Sequence, residues 1–171
     1  MKHEDITAIV IVVPEAAFTQ PFRVKYTSAL MPAHITLHVP FKLRKQVDEN
    51  VLNTLAELFK AHSQFSFTLT RTARFSDTGV LYLVPEPAEP LLALSRAIQA
   101  RYPDTPPDYP DQIMHLTLGL CKPQELDRLE QEFNHQYGTL LPIEATVTEV
   151  CIFEHHDNAW FQRGVFALGQ C

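Results

Sequence analysis

The apolar positions of this chain fall into short runs and stripes whose periods alternate between strand and helix. The first run, Ile6 to Val13, is rich in β-branched residues and ends at Pro14, which predicts a buried strand. After an irregular segment, Met31-Pro32-Ala33 leads into a second strand, His34 to Val39, closed by Pro40. Asp48 stands where a helix N-cap is wanted, ahead of Val51, Leu52, Leu55, Leu58 and Phe59 on one side. Phe65, Phe67 and Leu69 then alternate with Ser66, Thr68 and Thr70, the mark of a half-buried strand. The turn Ser76-Asp77-Thr78-Gly79 predicts a return strand over Val80 to Val84. Pro90 opens a second helix that stops before Pro103, and Pro103, Pro106, Pro107 and Pro110 stiffen the connection that follows. A strand is expected from His115 to Leu120. A third helix follows from about Pro123 to Gly138, with Leu126, Leu129 and Phe133 on one face. Two last strands are expected near 142–153 and 160–168, joined by His155-His156-Asp157-Asn158. Strands interleaved with three helices predict an α+β chain.

Aligning His34-Ile35-Thr36-Leu37 with His115-Leu116-Thr117-Leu118 brings out a weak internal repeat in which each motif is followed by a helix and a strand hairpin. Residues two apart on a strand share a face, so His34 and Thr36 point one way while Ile35 and Leu37 enter the core, and the second copy behaves alike. The matching order predicts one domain over residues 1–171 built as two lobes, each an antiparallel sheet with helices, related by a pseudo-twofold axis. One His-x-Thr-Leu is weak evidence; two, each opening a strand–helix–hairpin unit, are strong.

Composition narrows the function. With 14 Lys plus Arg against 20 Asp plus Glu the formal charge is −6, which disfavours a protein that wraps long duplex nucleic acid and leaves room for a small phosphorylated ligand in a locally positive cleft. The chain is long enough to bury a substantial core without disulfide or metal support. Three cysteines, Cys121, Cys151 and Cys171, at wide spacings read as reduced thiols and hence a cytoplasmic protein. The apolar run near the start is too short to span a bilayer and has an acidic flank, so neither membrane anchoring nor secretion is expected.

Two imidazoles on facing strands can flank a phosphorus atom, one taking a proton from water and the other giving one to the leaving oxygen, because histidine titrates near neutrality. A threonine hydroxyl two residues on can donate to a non-bridging oxygen in the transition state. Such a site needs no metal or other cofactor, and neither motif brings a carboxylate or cysteine to complete a ligand set. At these residues the chain resembles the 2H phosphoesterase superfamily, and within it the bacterial 2′-5′ RNA ligase-like proteins. The likeness rests on the opening strand, on Pro32-Ala33-His34-Ile35-Thr36-Leu37 with Val39-Pro40-Phe41, and on His115-Leu116-Thr117-Leu118-Gly119. It implies two sheet-plus-helix lobes around a central cleft. It further implies hydrolysis of a 2′,3′-cyclic or related cyclic phosphodiester on a nucleotide or RNA end, or reversible 2′-5′ RNA ligation. By the same resemblance His34 and His115 become the acid–base pair and Thr36 and Thr117 the phosphate binders, with the base left unassigned. The second motif departs in having Ile113-Met114, rather than a proline, before its histidine.

Other residues carry competing readings. His38 shares the face of His34 and reads as a solvated strand residue with cleft lining as the alternative; Cys151, His155 and His156 read as an exposed turn that lacks a fourth metal ligand. Lys42, Arg44 and Lys45 form a solvated basic run or an RNA contact, and Arg71 and Arg74 serve either solubility or phosphate. Phe41, Tyr82, Phe153 and Trp160 are candidates for base stacking against the usual reading of core aromatics. The competing functions are a non-catalytic binding module for nucleotides or RNA ends and a metallohydrolase using the surplus histidines. The expected assembly is a monomer.

Overall fold

The computed structural model describes residues 4–28, 31–110 and 112–170. Its strands are β1 (Thr7–Val12), β2 (His34–His38), β3 (Phe65–Phe75), β4 (Val80–Glu86), β5 (Leu116–Leu120), β6 (Ile143–Val147), β7 (Glu149–His156) and β8 (Ala159–Ala167). The helices are α1 (Gln20–Tyr26), α2 (Glu49–Lys60), α3 (Glu89–Arg101) and α4 (Leu126–Tyr137). The α+β class holds, with an eight-stranded sheet in the order β6-β3-β4-β5-β2-β1-β7-β8. Every neighbouring pair in it is antiparallel.

The sheet curls. Only Thr148 separates β6, at one edge, from β7, next to the other. Laid flat, six strand spacings would put them roughly 29 Å apart, and a single residue bridges about 7 Å. This is also why the expected strand over 142–153 is two strands: its halves join opposite sides of the sheet, β6 as one edge and β7 beside the other edge strand. A parallel bridge from Ser63 to Gly169 ties the start of β3 to the chain leaving β8.

Alternation along the strands divides the buried side chains. On the helix-bearing face Ile9, Ile11, Ile35, Leu37, Leu116 and Leu118 meet Phe22, Leu55, Phe59, Leu91, Leu129 and Phe133 from the four helices. On the other face Ala8, Val10, Met31, Cys151 and Phe153 form a smaller cluster. β1 is therefore covered on both sides, which explains why its sequence is a continuous apolar run and not an alternating one. Asp48 caps α2 as its position predicts, its Oδ1 accepting from the Val51 amide at 2.9 Å, a contact worth about 1 kcal/mol.

The sequence reading expected three helices, and the described residues hold a fourth. A 3-10 turn over Pro14–Thr19 runs into α1, inside the segment expected to be irregular. Phe18, Phe22 and Tyr26 at four-residue spacing carried the signal, and Phe22 packs against Phe133 at 5.3 Å between ring centroids. At the last hairpin His155 and His156 belong to β7, and the turn is Asp157-Asn158 alone, with φ of 53° and 60°. Both residues are left-handed, as a two-residue hairpin turn requires. Gly79 has φ +75°, and a Cβ there would lie 1.8 Å from the Cys121 carbonyl oxygen, so the β3–β4 turn admits only glycine.

Candidate active site

The two motifs meet at the middle of the sheet. β2 and β5 share one paired position, Ile35 with Leu116. Extending that antiparallel register by one residue each way sets His34 opposite Thr117 and Thr36 opposite His115, so four polar side chains occupy one face around the joint. Beyond the single rung the strands part, and side chains from elsewhere take up the freed carbonyls. Arg23 of α1 donates Nε–H to the Thr117 carbonyl at 2.9 Å, and Gln112 donates Nε2–H to the Thr36 carbonyl at 2.7 Å.

Each imidazole is anchored the same way. His34 Nδ1 lies 2.7 Å from the Pro32 carbonyl oxygen and His115 Nδ1 lies 2.6 Å from that of Ile113. A carbonyl only accepts, so both neutral rings carry their proton on Nδ1 and leave Nε2 for a substrate. The departure at Ile113-Met114 is thereby accommodated: the anchor is a backbone carbonyl two residues upstream, which isoleucine supplies as well as proline.

The surroundings differ. Desolvation holds His34 down to about 4; the Pro32 carbonyl opposes it, and the positive charges of Arg23 and of protonated His115 add to the lowering. Desolvation also pushes His115 below the ordinary histidine value, against its bond to Ile113. His115 packs against a pair of aromatic rings, Phe75 at 5.1 Å and Tyr82 at 5.4 Å, which touch each other at 4.4 Å. Beside it opens a groove of about 910 Å³, lined among others by Phe75, Val80, Asp108, Tyr109, Gln112 and Ile113. Tyr109 and Ile113 are 72% and 60% exposed there.

Comparison with known proteins bears on this arrangement. The family profile of the 2′-5′ RNA ligase superfamily matches residues 13–159, a stretch that includes both motifs. The chain belongs to that superfamily. Two candidate phosphoesterases named from Bacillus resemble it in sequence. The one from Bacillus licheniformis is 26% identical over 147 residues, 82% of this chain and 83% of the relative. That of Bacillus pumilus is 28% identical over 148 residues, 83% and 82% respectively. Among solved structures, a phosphoesterase crystal structure superposes with a TM-score of 0.63 at 17% identity, covering 98% of this chain and 99% of that one. E. coli LigT complexed with 3′-AMP superposes with a TM-score of 0.62 at 16% identity, covering 97% and 99%. These likenesses establish the same fold, and membership of the superfamily makes this an enzyme of the phosphodiesterase type.

Within this superfamily member the other sequence candidates fall in different surroundings. Arg74, opposite Leu81 in register, is paired with Asp127 and Glu130 of α4 and also lines the groove beside His115. Arg71 faces Glu86 at 4.0 Å. Lys42 lies over the rings of Phe41 and Tyr102, and Arg44 pairs with Asp5. His38, expected to be solvated, is fully buried: its Nε2 bonds the Thr105 carbonyl at 2.7 Å, because the proline-rich connection after α3 folds over the end of β2. Phe41 is buried against His38 and Tyr102, and Phe153 belongs to the smaller apolar cluster. Trp160 packs on His155 and against that same cluster.

Cys151 is buried among apolar side chains, which pushes its thiol up to about 11, with Glu149 adding. His155 and His156 are half-buried on the β7–β8 hairpin beside Glu4 and Glu154, not in an exposed turn. Among the described residues no three His, Cys, Asp or Glu are placed to hold a metal ion, and no helix is long and apolar enough to cross a membrane. Cys171 lies outside the described residues. Sequence reasoning missed Arg23, Gln112 and Phe75. None carries a motif, and each reaches the site from a different segment.

Proposed function

We propose that the protein hydrolyses a 2′,3′-cyclic or related cyclic phosphodiester on a nucleotide or short RNA end, without metal, in a cleft between two pseudo-twofold lobes that each contribute one motif. The observation that carries the reading is the duplicated anchor, two histidines with Nδ1 tied to a carbonyl and Nε2 free, each opposite the other motif's threonine. His34, kept neutral beside a buried cation, serves as base: its Nε2 takes a proton from water as the water oxygen bonds to phosphorus. The bond from phosphorus to one ribose oxygen breaks, and protonated His115 delivers its Nε2 proton to that oxygen. The Thr36 and Thr117 hydroxyls donate to the non-bridging oxygens, where charge builds up in the transition state. The groove beside His115 takes the nucleoside on the leaving-group side, with Tyr109 and Phe75 as flat surfaces for a base. Support for a nucleotide ligand also comes from the similarly folded LigT, whose structures hold 3′-AMP, ATP or phosphate.

The deciding experiment incubates purified protein with 2′,3′-cyclic nucleotides and cyclic-phosphate-ended oligonucleotides in excess chelator and assigns the 2′- or 3′-monoester formed. Turnover with chelator present is expected. Tight binding with no product would make the protein a binding module, and activity lost to chelator would make it a metallohydrolase. Joining of 2′-5′ ends by the same preparation would place ligation in the same site.

A further inference from the structure

Arg23 is the largest fully buried side chain among the described residues, 1% exposed, and it is charged. Its contacts among the described residues all end on neutral oxygens: the Thr117 carbonyl at 2.9 Å, the Gln20 side-chain Oε1 at 2.7 Å and the Met31 carbonyl at 3.0 Å. It makes no ion pair among the described residues, whereas exposed Arg74, Arg96 and Arg163 each have a carboxylate within about 3 Å. A buried cation without a counter-ion is costly, and burial lowers its proton affinity, as it does here. A neutral side chain could bridge two carbonyls more cheaply. The place it occupies is also specific. Thr117 belongs to the second motif and Met31 stands just ahead of the first, so the guanidinium fills the gap where β2 and β5 part, close enough to His34 for its charge to be felt there.

We propose that Arg23 is the counter-charge of the bound phosphate, a positioning residue whose missing anionic partner is the substrate itself. The inference rests on the phosphodiester reading of the cleft for its substrate, but its own test needs only a phosphate anion. Held from beneath by α1, the guanidinium biases the joint between the motifs toward an anion before any substrate arrives, and its fixed position requires no reorganisation during reaction. It also opposes protonation of His34, keeping the base free. One residue thus links phosphate affinity to the assignment of roles between the two histidines.

The test compares wild type, R23K and R23M. Calorimetric titration with inorganic phosphate should show binding about 10²-fold weaker in R23M. In R23K it should be at most about 10-fold weaker, because the charge stays while the rigid fork is lost. In the wild-type protein the Arg23 Nε–H resonance should shift on phosphate titration, a measurement independent of whether R23M folds. With 2′,3′-cyclic AMP, kcat/KM should fall in the order wild type, R23K, R23M. Phosphate affinity lost equally in R23K and R23M would make Arg23 a structural rung only. An Nε–H signal indifferent to phosphate, or wild-type affinity in R23M, would overturn the proposal outright. Arg23-dependent phosphate binding without any turnover would leave this inference standing and remove the cyclic phosphodiesterase reading.

Discussion

The two motifs are alike in everything local and unlike in everything around them. Each histidine ties Nδ1 to the carbonyl two residues upstream, at 2.7 and 2.6 Å, and each is followed two residues later by a threonine on the same face. Yet His34 lies beside a buried cation with no carboxylate partner among the described residues, while His115 packs against the Phe75–Tyr82 pair at the mouth of a groove. The difference teaches that a short motif can fix which ring nitrogen is offered. Proton affinity and the neighbouring substrate group are set by residues far away in sequence. Equivalent motifs thereby become inequivalent, as the proposed base and acid must be.

The comparison breaks first at the histidines themselves. Replacing either His34 or His115 by Ala should lower turnover of a 2′,3′-cyclic nucleotide by roughly 10²–10⁴, with the double variant little worse than the singles. Undiminished turnover in either single variant would end the acid–base assignment. The threonines come next: T36V and T117V should each lose about 10–10² in kcat with smaller changes in KM, since in the proposed mechanism their hydroxyls act chiefly on charge that develops in the transition state.

The pH profile sharpens the contrast. Both imidazoles lie below their ordinary value near 6.5, with His34 at about 4. The kcat/KM profile of the free enzyme should therefore peak on the acid side of 6.5, its acid limb governed by His34 and its alkaline limb by His115. Stability should follow the same sign. The folded state resists protonating His34 while the unfolded chain accepts the proton, so melting temperature should fall from pH 6.5 toward 4, and less steeply in H34Q. An optimum above pH 7 would contradict the lowered affinities. The smallest effect belongs to Arg74, which lines the groove beside His115 but has its guanidinium held by Asp127 and Glu130 of α4. R74A should lower kcat/KM only a fewfold, through KM, and leave the midpoint of a denaturant titration close to that of the wild type.

Much of this was legible in the chain. Apolar periods and runs placed β1, β2, α2, β3 and α4 close to their observed ranges, and turn and proline signals placed β4 and α3. α1 escaped because Pro21 and the surrounding polar residues masked a helix only two turns long, even though Phe18, Phe22 and Tyr26 were correctly spaced. The strand expected over 142–153 was drawn as one because nothing local marks Thr148 as the point where the chain changes sheet edge. His38 was read as solvated because alternation gives the face a side chain takes and not what lies across it. The covering connection contacts β2 from more than 60 residues away.

By itself the sequence determined the α+β class, the four motif residues and the face each occupies, since strand alternation and a repeated His-x-Thr-Leu are local properties. Only the tertiary structure decided that β2 and β5 touch at a single rung, that Arg23 and Gln112 fill the gaps on either side of it, and that aromatic rings stand at one histidine and a cation at the other. The physical reason is that proton affinity and anion affinity depend on charge and solvent within a few ångströms in space. Such neighbours come from segments that share no period and no motif with the residues they control.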